Sequence, residues 1–238
     1  MARRIMGNII MVGAAGLGAY ILFFRPWQHR WGATDEEVNA TLPGDELVPY
    51  ADVVETRVVT IKATPAAIWP WLVQIGQGRA GYYSYTQLEN LAGLKMKNAE
   101  GINPDWQHLQ VGDIVPAEPG GKGFKVYTLE HERALVFGGR EGDEGVFEGF
   151  TQMFPEFSWA FVLVPVDSEH TRLISRLRGS SRPTFGNRLM GLVFEPVEFL
   201  MTRRMLLGIK KLGEPTSEVA VKSLIFRVIP NYTITTSL

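Results

Sequence analysis

Residues able to carry out chemistry are dispersed along this chain. Its four histidines (His29, His108, His131, His170) stand far apart and show no metal-ligand spacing, so no metal is expected. Cysteine is absent, which removes thiolate ligands, disulfides and cysteine nucleophiles together. Neither a Gly-x-Ser-x-Gly elbow nor a Walker loop occurs. Glu195 and Glu198 stand three apart, as a carboxylate pair on one helical face would. An acidic pair near a helix start is equally explained by the macrodipole. No catalytic set emerges.

Gly76-Gln77-Gly78-Arg79-Ala80-Gly81 fits the dinucleotide pattern G-x-G-x-x-G. That fingerprint works only after a strand and at the opening of a helix, where the helix N-terminus meets the pyrophosphate. Here the preceding segment begins with Thr64-Pro65 and repeats at helical spacing, so the glycines read as a structural turn and no cofactor is expected. Tyr82, Tyr83 and Tyr85 crowd the stretch that follows. A tyrosine offers an apolar body with a polar tip, suited either to a ligand or to ordinary packing.

These residues must be positioned by elements that the pattern sets out in order. Val59, Ile61 and Ala63 alternate with polar residues as a strand. Thr64-Pro65 starts a helix whose Ile68, Trp71, Leu72 and Ile75 share a face, with Pro70 inside it. A second helix is expected over Ser84–Leu91. Strand signals follow near Asp113–Pro116, Phe124–Leu129, Ala134–Phe137, Ser158–Val166 and Thr171–Arg178, with short turns between them. Such connections favour antiparallel pairing. The strand from Ser158 is apolar at both parities, as a central strand buried on two faces would be. In the next strand Arg172, Arg176 and Arg178 oppose Leu173 and Leu177, so a solvated outer face is expected for the arginines. A long helix closes the series over about Asn187–Leu212, with Met201 and Met205 on its apolar stripe.

The bulk composition agrees with one sizeable core. The chain has 238 residues, 45% of them hydrophobic, with thirteen Phe, seven Tyr and six Trp. Net charge is −1 and the basic residues are scattered, which removes the footprint of a nucleic-acid partner. At the N-terminus, Ile5 to Phe24 is a run whose one strongly polar member is Asn8. Roughly twenty residues at about 1.5 Å each span a ~30 Å hydrocarbon core. The run ends in Tyr20-Ile21-Leu22-Phe23-Phe24 rather than the small residues of a cleavage site. An uncleaved single-pass membrane anchor over residues 1–30 is expected, with a connector over 31–52 and a domain over 53–213. Both flanks of the run are basic, so its orientation stays open.

With those residues in hand, the chain resembles the START-like or SRPBCC superfamily, specifically a membrane-anchored bacterial group within it. Three stretches carry the likeness. The first is Arg30-Trp31-Gly32-Ala33-Thr34 leading to Leu42-Pro43-Gly44-Asp45. The second runs from Ala63-Thr64-Pro65 through Trp69-Pro70-Trp71-Leu72-Val73-Gln74 to Tyr85, and the third from Glu195-Pro196 to Lys210. The resemblance implies an α+β helix-grip fold, a curved antiparallel sheet around a long C-terminal helix with an apolar cavity between. It implies a hydrophobic small molecule or lipid as partner. Trp69, Arg79, Tyr82, Tyr83 and Tyr85 are then candidate ligand contacts, Arg79 toward an acidic headgroup at the cavity mouth or else simply solvated. Trp159, Phe161, Leu173, Met201 and Met205 are candidates for the lining. A membrane-tethered binding module is expected ahead of a polyketide cyclase-like enzyme or a structural domain with a filled core. The tail from Glu214 to Leu238 falls outside the likeness.

Overall fold

The computed structural model describes residue 11, residues 15–182 and residues 184–215, without the side chains at 185, 187 and 188. The sheet has six strands: β1 (Val53–Ile61), β2 (Ile114–Pro116), β3 (Gly123–Glu130), β4 (Ala134–Arg140), β5 (Glu156–Pro165) and β6 (Thr171–Ser180). Their order is β1-β6-β5-β4-β3-β2, and every neighbouring pair is antiparallel. The β1–β6 ladder runs from Val53 opposite Gly179 to Ile61 opposite Thr171. β1 thus begins well before the alternation from Val59. Its early residues Glu55, Thr56 and Arg57 are polar yet buried, which hid the strand from a hydrophobic pattern.

A turn of π-helix (Tyr20–Phe24) runs into α1 (Arg25–His29), followed by α2 (Asp35–Asn39). Next come α3 (Pro65–Val73), α4 (Thr86–Leu91), α5 (Glu148–Met153) and the long α6 (Phe185–Gly213). Pro65 takes the first position of α3, where its missing N–H costs nothing, and Ile68, Trp69, Trp71, Leu72 and Val73 are all buried. The glycine stretch after α3 is a closed turn: Gly76 and Gly81 pair as an isolated antiparallel bridge. Gly81 has φ +68°, and a Cβ there would meet the Asn98 side chain at 2.5 Å. The turn follows a helix and the sheet has no parallel pair, so the nucleotide reading fails on geometry.

The main core lies between one face of the sheet and the second half of α6, where Met205, Leu206 and Ile209 meet Ile61, Ile68, Phe161 and Leu173. β5 is buried on both sides as its two apolar parities require, because Ala160 and Val162 join Leu42, Val58, Val136 and Ile174 in a second, smaller cluster on the other face.

That second cluster corrects one expectation. The outer face of β6 is covered by the connector, and its arginines are not solvated. Arg176, 2% exposed, donates to the carbonyls of Glu37, Val38 and Ala40 and pairs with Asp45. Arg172 pairs with Glu37, and Arg178 donates to the carbonyls of Val48 and Pro49. An irregular segment laid over a sheet brings carbonyls with no ladder partner. A guanidinium carries five donors in a fixed fork and satisfies several of them at once. α2 itself is held by a capping box between Thr34 and Glu37. At Gly32 the connector crosses the edge of β1: the Val58 N–H donates to the Trp31 carbonyl at 3.0 Å. A Cβ on Gly32 would lie 2.1 Å from the Val58 carbonyl oxygen.

Part of the expected membrane segment, residues 1–10 and 12–14, lies outside the described residues, as do residues 216–238 of the tail. Among the described residues no helix is long and apolar enough to cross a membrane.

Candidate functional site

A cavity of about 750 Å³ opens between the sheet and the first half of α6. Its aromatic wall is built by the sheet and by α5. Phe124 of β3 and Trp159 of β5 face it, joined by Phe147, Phe150 and Phe154 around α5 and by Tyr82 from the loop after the glycine turn. The Trp159 and Tyr82 rings stack with 6.2 Å between centroids at 19°. Each is oriented by one hydrogen bond, Trp159 Nε1 donating to Ser175 Oγ at 3.0 Å and the Tyr82 hydroxyl to the Pro116 carbonyl at 3.1 Å. Burial pushes the Tyr82 hydroxyl pKa far up, so it stays a neutral donor. The opposite wall is α6, through Leu192, Phe194, Val197, Met201 and Met205.

Polar groups gather at two places on this wall. Glu89, buried on α4, accepts from Ser84 Oγ at 2.5 Å through Oε1, while its Oε2 has no hydrogen-bond partner. Burial raises its pKa. At the other place α6 meets α1 and β1. Arg25 grips Glu195 with two bonds of 2.7 and 2.8 Å. Arg57, 2% exposed, bridges Glu55 at 2.7 Å and Glu198 at 2.7 Å and donates to the Gln28 carbonyl. His29 Nε2 sits 3.4 Å from Glu55 and 3.5 Å from Glu195.

The carboxyls of this group split in behaviour. Burial acts to raise the pKa of Glu195, but the hydrogen bonds and charges of Arg25 and His29 pull it down to about 2. Glu55 is pushed well above the usual carboxylate range, by burial first and then by Glu198 beside it, against the pull of Arg57. The close ion pairs are Arg25 with Glu195 and Arg57 with both Glu55 and Glu198, and such pairing offsets part of the cost of burying these charges.

Of the ten candidate ligand contacts, Tyr82, Trp159, Met201 and Met205 face the cavity. The other six are placed elsewhere. Trp69 packs in the core with its ring against His131, and Phe161 and Leu173 lie deeper in that core. The Tyr83 hydroxyl donates to the Trp71 carbonyl and accepts from Gln74. Tyr85 is exposed under the Arg204 guanidinium. Arg79 is neither solvated nor at the mouth: its Nη2 donates to the carbonyls of Val73 and Trp106 at 2.9 and 2.7 Å, tying the glycine turn to a loop.

Two sets of cavity residues escaped the sequence reading. Phe147, Phe150 and Phe154 recur at helical spacing, a signal for α5 that the surrounding glycines and acids masked. Glu55 and Arg57 carried no local signal, since their partners lie over a hundred residues away or across a turn of chain.

No family model matches the chain, and no curated protein is similar to it. Solved structures with a related shape exist. Norcoclaurine synthase from Thalictrum flavum, in complex with dopamine and hydroxybenzaldehyde, is 17% identical over 73% of this chain and 93% of its own, with a TM-score of 0.40. A START superfamily protein from Mycobacterium smegmatis is 14% identical over 67% of this chain and 98% of its own, at 0.36. The Aha1 dimer from Colwellia psychrerythraea is 17% identical over 67% and 98%, at 0.34. Superpositions this loose transfer no activity; strand order and the helix across the sheet decide the matter. The fold is the START-like helix grip. Here the space between the sheet and the C-terminal helix is the cavity just described.

Proposed function

We propose that this START-like protein is a membrane-tethered binding module for a hydrophobic or amphipathic small molecule. The cavity carries the reading. Its volume of about 750 Å³ falls within the ~300–1,000 Å³ of small-molecule sites and above the size at which a filled structural core is favoured. Its walls are mainly aromatic and aliphatic, with polar groups gathered at Glu89–Ser84, at Asp52–Ser181 and along the rim of Arg25, Glu195, Glu55, Glu198 and Thr202. An amphipathic ligand fits that distribution. The tether is supported by the apolar run Ile5–Phe24, and tethering raises the effective concentration of membrane-dissolved ligands.

The test is native mass spectrometry of the detergent-extracted full chain, followed by displacement of a fluorescent fatty acid from the purified protein. A co-purified or displaceable apolar molecule is expected, with Trp159 emission changing on binding. Met201→Trp, which fills the cavity from α6, abolishes uptake while the melting temperature stays within about 3 °C of wild type. Full uptake by that variant sinks the reading.

One observation favours a second reading, an enzyme using the same cavity. Glu55 is a carboxyl on the cavity wall whose pKa is raised by burial and by Glu198 against the pull of Arg57, the direction a general acid needs. Loss of turnover on a bound ligand in Glu55→Gln, with uptake retained, would establish it.

A further inference from the structure

The first half of α6 wears its amphipathicity inside out. Leu189, Met190, Val193, Phe194, Val197 and Leu200 are between 47% and 60% exposed. They recur at three- and four-residue steps along one stripe. The charged residues of the same stretch point the other way, Glu195 onto Arg25 and Glu198 onto Arg57. The N-terminal helix continues this surface. Its Leu22, Phe23 and Trp27 are 68%, 74% and 48% exposed. The two helices lie side by side through the Arg25–Glu195 pair and through the rings of Phe24 and Trp27 against Phe199 at 6.2 and 5.3 Å.

We propose that this two-helix apolar face lies in the interfacial layer of a lipid bilayer, so that the cavity opens onto lipid. The inference rests on the tethered reading above and adds the orientation of the domain. Three observations choose lipid over a protein partner. From Leu189 to Phe194 no side chain can form a hydrogen bond, whereas protein interfaces carry about one hydrogen bond per 100–200 Å². The helix bearing Leu22 and Phe23 is preceded in sequence by the rest of the apolar run back to Ile5, so the face adjoins the segment best suited to hydrocarbon. Phe194 and Val197 belong both to this face and to the cavity lining. They form a lip across which an apolar molecule passes from bilayer to cavity without crossing water. A helix with such a face lies in the plane of the interface, its apolar side buried by about 5–10 Å.

The absence of cysteine makes the test direct. Single variants Val193→Cys, Val197→Cys, Leu22→Cys and Glu169→Cys are made in the full chain and nitroxide-labelled. Each is placed in nanodiscs of phosphatidylcholine and phosphatidylglycerol, and collision rates with oxygen and with a water-soluble nickel chelate are compared. Labels at 193, 197 and 22 are expected to meet oxygen preferentially, and the label at 169, in the exposed β5–β6 turn beside the strand pair Ile61–Thr171 that adjoins the far end of α6, to meet nickel. If 22 is oxygen-dominated while 193 and 197 are nickel-dominated, the tether stands and the docking face is overturned. Nickel dominance at 22 as well overturns both. Shielding of 193 and 197 from both reagents shows a protein cover instead and also overturns the proposal.

Discussion

Glu55 is the residue whose environment departs furthest from its sequence. A strand-borne glutamate is normally a surface group, yet this one is buried beside Glu198 and Arg57, and burial first and then Glu198 push its pKa up. A carboxyl with a raised folded-state pKa supports the fold while protonated, and that support is lost as pH rises from its ordinary value of 4.5 toward the folded one. Glu55→Gln keeps the neutral form. The variant is expected to match wild-type stability in mild acid and to exceed it in alkali, read as a flatter dependence of the urea midpoint on pH. An unchanged slope shows that Glu55 is ionised in the native state. Glu195 works with the opposite sign. Its pKa is held down to about 2, so its contribution is complete above about 4.5 and is lost as pH falls toward 2. Tryptic cleavage after Arg30 at neutral pH is expected to be resisted by the wild type and to accelerate in Glu195→Gln, and the wild-type urea midpoint is expected to fall across that acid window.

Among the elements, the connector gains most from side chains far away. It is short of regular structure, yet three arginines of β6 hold it. Arg176→Ala leaves three connector carbonyls without their guanidinium donor and strips the Asp45 carboxylate of its closest cation, leaving it the Leu42 N–H, at a cost of about 3–5 kcal/mol for breaking a buried charged network. Denaturant unfolding measures the loss; a cost under about 1 kcal/mol would show that water replaces the guanidinium freely. Thr34→Ala removes the capping-box acceptor of α2 and costs about 1 kcal/mol. Element existence was legible wherever apolar periodicity was strong: β5, β6, α3 and α6 fall within a few residues of their signals. Residues answering to distant partners were not legible. The arginines of β6 read as solvated because nothing near them in sequence announces the chain that covers them. Arg79 read as solvated or as a headgroup contact because one of the carbonyls it serves, that of Trp106, lies 27 residues away.

At the scale of the molecule, the fold was legible and most of the cavity wall was not. The family resemblance implied a cavity under the long helix, and Trp159, Tyr82, Met201 and Met205 face one. Of the acidic groups on its wall, Glu195 and Glu198 stood out in the sequence as a pair three apart, whereas Glu55 of β1 and Glu89 of α4 carried no motif. The chain's path around the sheet has a further result. Residues 31 and 32 sit against the outside of β1, one terminus of the strand order, and β2 at the other terminus is three residues long. Among the described residues, then, neither border offers a long row of unpaired peptide groups on which another copy could be templated. Crowding many such molecules on one surface should not drive them to polymerise through their sheets.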